Sequence, residues 1–276
     1  MIQLVTDSTS DLPKEIIDKY NITVVPLTIN IDGVDYLEGI DITPLEFYEK
    51  MSNAKDLPKT SMPSPGVFAE TFNELSKKGP VLCLTISAGL SGTYESACFA
   101  ANNSQGDVRV INTVSGSLGH GIQLMEAGDL IKEGKTIYEI EDHLNTKKED
   151  SRVLILLNTL ENIVKGGRLS RFQGSLAKML DIKVILHDMP DGKVEILEKL
   201  RGKKKFLKRS LEIIGNLRDD FSDTVFGISH IDNFKDVEFL KDEIIKRFNP
   251  KKVVINYMGP TMGTYAGKDG LIISFY

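Results

Sequence analysis

Hydroxyl-bearing turns supply the first chemistry legible in the chain: Thr6-Asp7-Ser8, Thr60-Ser61, Ser87 and Ser91-Gly92-Thr93. Hydroxyls and free amides at a helix start donate hydrogen bonds without carrying full charge, and the helix dipole adds a partial positive potential. Phosphate and carboxylate both suit such a site, provided the turns converge at one sheet edge; helix caps scattered over the surface are the plainer alternative. Nucleophilic chemistry has less support, because Gly89-Leu90-Ser91-Gly92-Thr93 carries threonine where the G-x-S-x-G elbow needs its second glycine. No partner base is evident for Ser91, and His120, His143, His187 and His230 read as structural or solvated. Gly263 to Asp269 is one residue short of a P-loop, with Asp269 in place of the magnesium-binding hydroxyl. The basic run from Arg201 to Arg209 suits phosphates, an acidic partner or water, whereas Asp35, Glu38 and Asp41 read as an exposed acidic turn in preference to a cation site. There is no CxxC, HExxH or paired Cys/His spacing, so neither a metal nor a cofactor is expected; Cys83 and Cys98 read as reduced core residues.

The elements that must position these residues alternate in hydrophobic period. Val81 to Ile86 has the length and apolar type of a strand buried on both faces, and Tyr94, Ala97, Cys98 and Ala101 then share one helix face. That helix starts near Ser91 or Gly92: Ser91 caps its first amides, or Gly92 caps and Glu95 reaches back. Strands are expected at Ile2–Val5, Ile22–Ile31 and Val108–Asn112, with a turn at Asp32-Gly33. Thr43-Pro44-Leu45-Glu46 is a capping box, Lys59 to Gly66 a polar turn whose Ser64 caps the next helix, and Leu118, Ile122 and Met125 lie on a further helix. Such alternation argues for a mainly parallel sheet with helices on both faces, where ligands sit beyond the carboxyl ends of the strands.

After the charged break Thr146–Asp150 the pattern changes. Val153–Leu157, Ile182–His187, Val194–Lys199, Val225–Ser229, Val253–Asn256 and Leu271–Phe275 read as strands, with a hairpin at Pro190-Asp191-Gly192 and a turn at Lys165–Ser170. The expected fold class is α/β in two domains: an N-terminal domain, 1–148, and a C-terminal domain, 149–276, with a mixed sheet and helices. A net charge of −5 gives no reason to expect a nucleic-acid partner. The opening MIQLVTDSTSD lacks a signal-peptide pattern and no stretch approaches 18 apolar residues, so a cytoplasmic protein without an integral membrane segment is expected.

Several stretches taken together resemble the DegV family of bacterial lipid-binding proteins, which includes the fatty-acid-binding subunit of fatty acid kinase. They are Val5–Pro13 (VTDSTSDLP), Val25-Pro26-Leu27, Thr60–Ser64 (TSMPS), Leu90–Tyr94 (LSGTY), Gly166–Ser170 (GGRLS) and Arg201–Lys205 (RGKKK), in order along nearly the whole chain. The resemblance implies a long-chain fatty acid between two α/β domains, its carboxylate held by hydroxyls and amides and its tail in an apolar slot. It implies Thr60 or Ser61, with Ser91 and the Gly92 amide, as carboxylate ligands. Tyr265 stands where the family pattern usually has a histidine, and its hydroxyl remains a hydrogen-bond donor. The resemblance further implies a kinase catalytic subunit as partner, with Arg168, Arg201, Lys203 and Lys204 steering phosphate or that partner.

The expectation is therefore a fatty-acid carrier without a complete active site. Two rivals stand beside it: an acyl hydrolase or transferase using Ser91, and a lipid-regulated interaction protein that docks a partner through Arg201–Arg209.

Overall fold

Three sheets organise the computed structural model, which describes residues 1–169 and 182–276. Ser170, the last residue of the GGRLS stretch, lies outside the described residues. The first sheet is parallel and contains β1 (Gln3–Asp7), β2 (Thr23–Val25), β6 (Val81–Thr85) and β7 (Val108–Asn112) in the order β2-β1-β6-β7. Its apolar residues alternate between two cores. Leu4, Leu82 and Leu84 meet α1 (Lys14–Tyr20), α5 (Leu118–Lys132) and α6 (Ile137–Lys147), while Val5, Val81 and Cys83 meet α3 (Pro65–Ser76) and α4 (Thr93–Asn102).

The apolar run 22–31, one β segment by sequence, is divided at Pro26. Proline offers no N–H to a ladder, so the chain leaves the first sheet there and β3 (Thr28–Ile31) enters a second, antiparallel sheet. Its neighbours are β4 (Val34–Leu37) and β5 (Lys59–Ser61), in the order β4-β3-β5. Asp32 and Gly33 make the hairpin with φ of 49° and 88°, the left-handed pair that a two-residue turn requires. Residues 34–37 and 59–61 are thus strands, where the sequence reads as an acidic stretch and a polar turn. The capping box at Thr43 and Glu46 is present and opens α2 (Pro44–Asn53).

The third sheet is mixed. It contains β8 (Arg152–Leu157), β9 (Lys183–Asp188), β10 (Val194–Leu200), β11 (Val225–His230), β12 (Lys252–Tyr257) and β13 (Leu271–Phe275), in the order β10-β9-β8-β13-β11-β12, with only β11 and β12 parallel. One face, with Leu154, Ile185, Phe226 and Ile273, is covered by α8 (Lys203–Gly215) and α9 (Phe234–Phe248). On the opposite face α5 lies across β11 and β13. Gly227 permits this approach: a Cβ there would stand 2.5 Å from Leu118 Cβ. The rest of that face is roofed by α7 (Glu161–Lys165) and α10 (Pro260–Ala266). No helix among the described residues is long and apolar enough to cross a membrane.

Two buried carboxylates stitch α10 to the N-terminal half. Asp11 accepts from Ser117 Oγ at 2.5 Å and the Gly259 N–H at 2.7 Å. Glu38 accepts from Ser8 Oγ at 2.6 Å, the Thr261 N–H at 2.9 Å and Thr261 Oγ1 at 2.7 Å. Glu38 is therefore not part of an exposed acidic turn; it is 4% exposed, because the bridge at Glu38–Ile42 folds it inward. Burial pushes both carboxyls above the usual carboxylate range, against the pull of their hydrogen bonds.

A raised folded pKa means that the folded chain holds the proton more tightly than the unfolded one. The resulting stability is fully present below the unfolded value, about 4.3 for Glu, and is lost as pH rises through the folded value. The melting temperature of the native protein minus that of Glu38→Gln should accordingly grow as pH falls from 8 to 5. A constant difference would show that Glu38 ionises as freely in the fold as in the unfolded chain.

Candidate functional site

A narrow slot opens between the second face of the mixed sheet and the N-terminal half, with about 580 Å³ of empty space counting its mouth. Its floor is Ile155 of β8, Val194 of β10 and Ile272 of β13, three residues set on one face by strand alternation. Ile163 of α7 with Met262 and Ala266 of α10 form the roof, and Leu27, Ile86 and Leu90 close it from the N-terminal side. These walls are aliphatic or thioether and contain no charge.

Of the polar members, Thr60, Tyr265 and Arg168 are joined to one another. Thr60 Oγ1 and the Tyr265 hydroxyl lie 2.6 Å apart across the cleft, from β5 to α10, with either able to donate. The Arg168 guanidinium stacks 4.8 Å from the centroid of the Tyr265 ring. It also donates to the Leu90 carbonyl at 3.3 Å and the Gly166 carbonyl at 2.8 Å. Ser91, next to Leu90, completes this end; its hydroxyl lies 2.8 Å from Thr93 Oγ1. The tyrosine ring fits only because residue 166 is glycine, since a Cβ there would stand 2.4 Å from Tyr265 Cε1.

Thr60, Ser91, Arg168 and Tyr265 therefore come together. The other sequence candidates do not line the slot. Ser61 follows Thr60 in a strand, so its side chain takes the opposite face and is exposed. Gly92 is exposed at the α4 N-cap, where its missing side chain makes room for Met62. Arg201 and Lys204 are exposed, and Lys203 pairs with Asp236 at 2.9 Å, on the far side of the mixed sheet.

The remaining hydroxyl turns serve the fold. Thr6 Oγ1 meets His120 Nε2 at 2.9 Å, the Ser8 hydroxyl accepts from the Leu27 N–H at 3.0 Å, and Ser87 donates to the Gly192 carbonyl at 2.8 Å. Asp7 anchors the turn after β6 by accepting from the Ile86 N–H at 2.8 Å. His120 is fully buried, which lowers its pKa and favours the neutral ring. Among the described residues the Ser91 hydroxyl is bonded to no histidine or carboxylate, so no activated nucleophile is assembled there. Sequence reasoning missed Leu27, Ile163 and Met262 as wall residues. Their only signal is apolar character, which core residues share.

An aliphatic slot under a hydroxyl and guanidinium head, set between a parallel and a mixed sheet, defines a two-part α/β protein with a site shaped for an amphiphile. A family model described as uncharacterised protein, DegV family, matches residues 1–276. A DegV domain-containing protein of Staphylococcus aureus is 33% identical over 273 residues, covering 98% of this chain and 97% of the relative. Among solved structures, a DegV family protein from Thermus thermophilus described by its fatty acid binding superposes with a TM-score of 0.93 at 31% identity, over 100% of this chain and 99% of that one. A fatty acid binding DegV family protein from Streptococcus agalactiae gives 0.91 at 29% identity, over 100% and 98%. The chain belongs to the DegV family.

Proposed function

We propose that this protein binds one long-chain fatty acid between its two units, 1–148 and 149–276, and offers the carboxylate to a fatty acid kinase catalytic subunit for conversion to an acyl phosphate. The observation that carries the reading is the polar end, where Thr60, Tyr265 and Arg168 are joined and Ser91 lies beside them, closing a slot with aliphatic walls. Burial of about 15 methylenes at roughly 0.8 kcal/mol each contributes on the order of 12 kcal/mol before ordering costs. The tail thus supplies affinity and the head orientation. In this reading Arg168 supplies the positive charge at the carboxylate, Thr60, Ser91 and Tyr265 add neutral donors, and the chain itself performs no bond-making step. Arg201 and Lys204, away from the slot, are proposed to meet the partner or its phosphate.

Native mass spectrometry of protein purified without detergent, followed by solvent extraction, tests the first half. One fatty acid per chain is expected; protein that is empty and then takes up neither palmitate nor oleate removes the reading. At the head, Tyr265→Phe should weaken oleate binding about 2- to 10-fold, the loss of one hydrogen bond at roughly 0.5–1.5 kcal/mol. An unchanged Kd would place the carboxylate away from Tyr265.

A further inference from the structure

A second cleft, wider than the acyl slot, lies at the β8 end of the mixed sheet. It holds about 1520 Å³ of empty space counting its mouth, against 580 Å³ for the slot. The two sites use different stretches of β8: Ile155 lines the slot, whereas Val153 and Leu154, nearer the start of the strand, line the second cleft. Leu197, the unpaired residue of a bulge in β10, forms an apolar wall with Ile213 and Leu217. Leu197 is 39% and Leu217 49% exposed, so among the described residues this part of the wall is only partly covered.

The mouth carries two cations. Arg152 Nη1 donates to the carbonyls of Glu149 at 2.5 Å and Ser151 at 2.7 Å, which fixes the guanidinium; among the described residues its other nitrogens meet no acceptor. Lys148 Nζ, half-buried, meets only neutral oxygens, Asn145 Oδ1 at 2.8 Å and the Asn112 carbonyl at 3.5 Å. Burial without a hydrogen-bonded carboxylate leaves such a cation partly desolvated, a cost that an arriving anion offsets. Two acids also line the cleft and act on these cations: Asp188, near Arg152, has one oxygen taken by the Val153 N–H at 2.9 Å, and Glu149, near Lys148, is exposed to water.

Two further features mark the cleft as more than a surface dent. Ser151 is 5% exposed and among the described residues its hydroxyl has no hydrogen-bond partner, an unfavourable state for a buried polar group. Val114 lines the wall with φ of 54°, a left-handed conformation that β-branched residues avoid. Strain of this kind gathers at ligand clamps.

The geometry points to a second ligand site for a bulky organic anion, with a carboxylate or phosphate head between Lys148 and Arg152. Its apolar body, broader than a single acyl chain, lies against Leu197, Ile213 and Leu217. The site stands independently of the acyl slot.

Oleate-saturated protein titrated by calorimetry with 1-naphthyl phosphate and, separately, 1-naphthoate tests this, with slot occupancy followed by native mass spectrometry. At least one of the two anions should bind at one site per chain without displacing oleate, and the tighter one identifies the head. Lys148→Gln combined with Arg152→Gln should weaken it at least tenfold, as should Leu197→Asp. Absence of binding by both anions, displacement of oleate, or unchanged affinity in either variant overturns the proposal. If the protein takes up no oleate, the same titration on the unloaded protein keeps failure of the acyl reading separate from failure of this one.

Discussion

Arg168→Met is expected to weaken oleate binding about 10- to 100-fold with little change in melting temperature. Methionine keeps an unbranched stem of similar reach but removes the charge, and a hydrogen bond to a charged group contributes roughly 1.5–3 kcal/mol. The loss should exceed that of Tyr265→Phe because Arg168 is the one formal charge lining the slot among the described residues. Its guanidinium is held in place beforehand, stacked 4.8 Å from the Tyr265 ring centroid and bonded to the carbonyls of Leu90 and Gly166. Arg168→Lys should recover only part of the affinity, since an ammonium cannot reproduce the planar fork. Fluorescence displacement or calorimetry on delipidated protein reads the result. Equal affinity in the native protein and Arg168→Met would show that the carboxylate does not reach the guanidinium, and the head-group assignment would fail with it.

Phe226→Ala should remove about 3–5 kcal/mol of folding stability, the usual cost of deleting a fully buried phenyl group, while leaving the oleate Kd unchanged wherever the variant is folded. The ring is 0% exposed and sits among aromatic neighbours, with centroids 5.6 Å from Phe221 and 5.1 Å from Phe275. It belongs to the face of the mixed sheet covered by α8 and α9, whereas the slot uses the other face. Denaturant unfolding paired with oleate titration separates the two quantities. A large loss of affinity in folded Phe226→Ala would mean that the sheet transmits repacking from one face to the other.

The strands of the mixed sheet were legible because most are short, near-continuous apolar runs such as Val153–Leu157 and Leu271–Phe275, and because the Pro190-Asp191-Gly192 turn is unambiguous. The parallel sheet was legible for a similar reason, from Val81–Ile86 followed at once by a helical face. What resisted reading depended on partners remote in sequence. Nothing local distinguishes Glu38 from Asp35 or Asp41; its burial is decided by Thr261, 223 residues away. Thr60 and Ser61 are chemically alike, and only pairing with β3 in the small sheet selects which one faces the slot. The run 22–31 misled because β-branched composition outweighed Pro26, although the missing N–H was visible in the sequence.

The bond between Thr60 and Tyr265 spans 205 residues. On a ribosome adding roughly 5–20 residues per second, the threonine therefore waits on the order of 10–40 s for its tyrosine. Once β7 has been made, the parallel sheet can form while the polar end of the slot still lacks Tyr265. The polar end of the slot is thus among the last parts of the fold to be completed, and a chain stalled before α10 should lack the Thr60–Tyr265 bond.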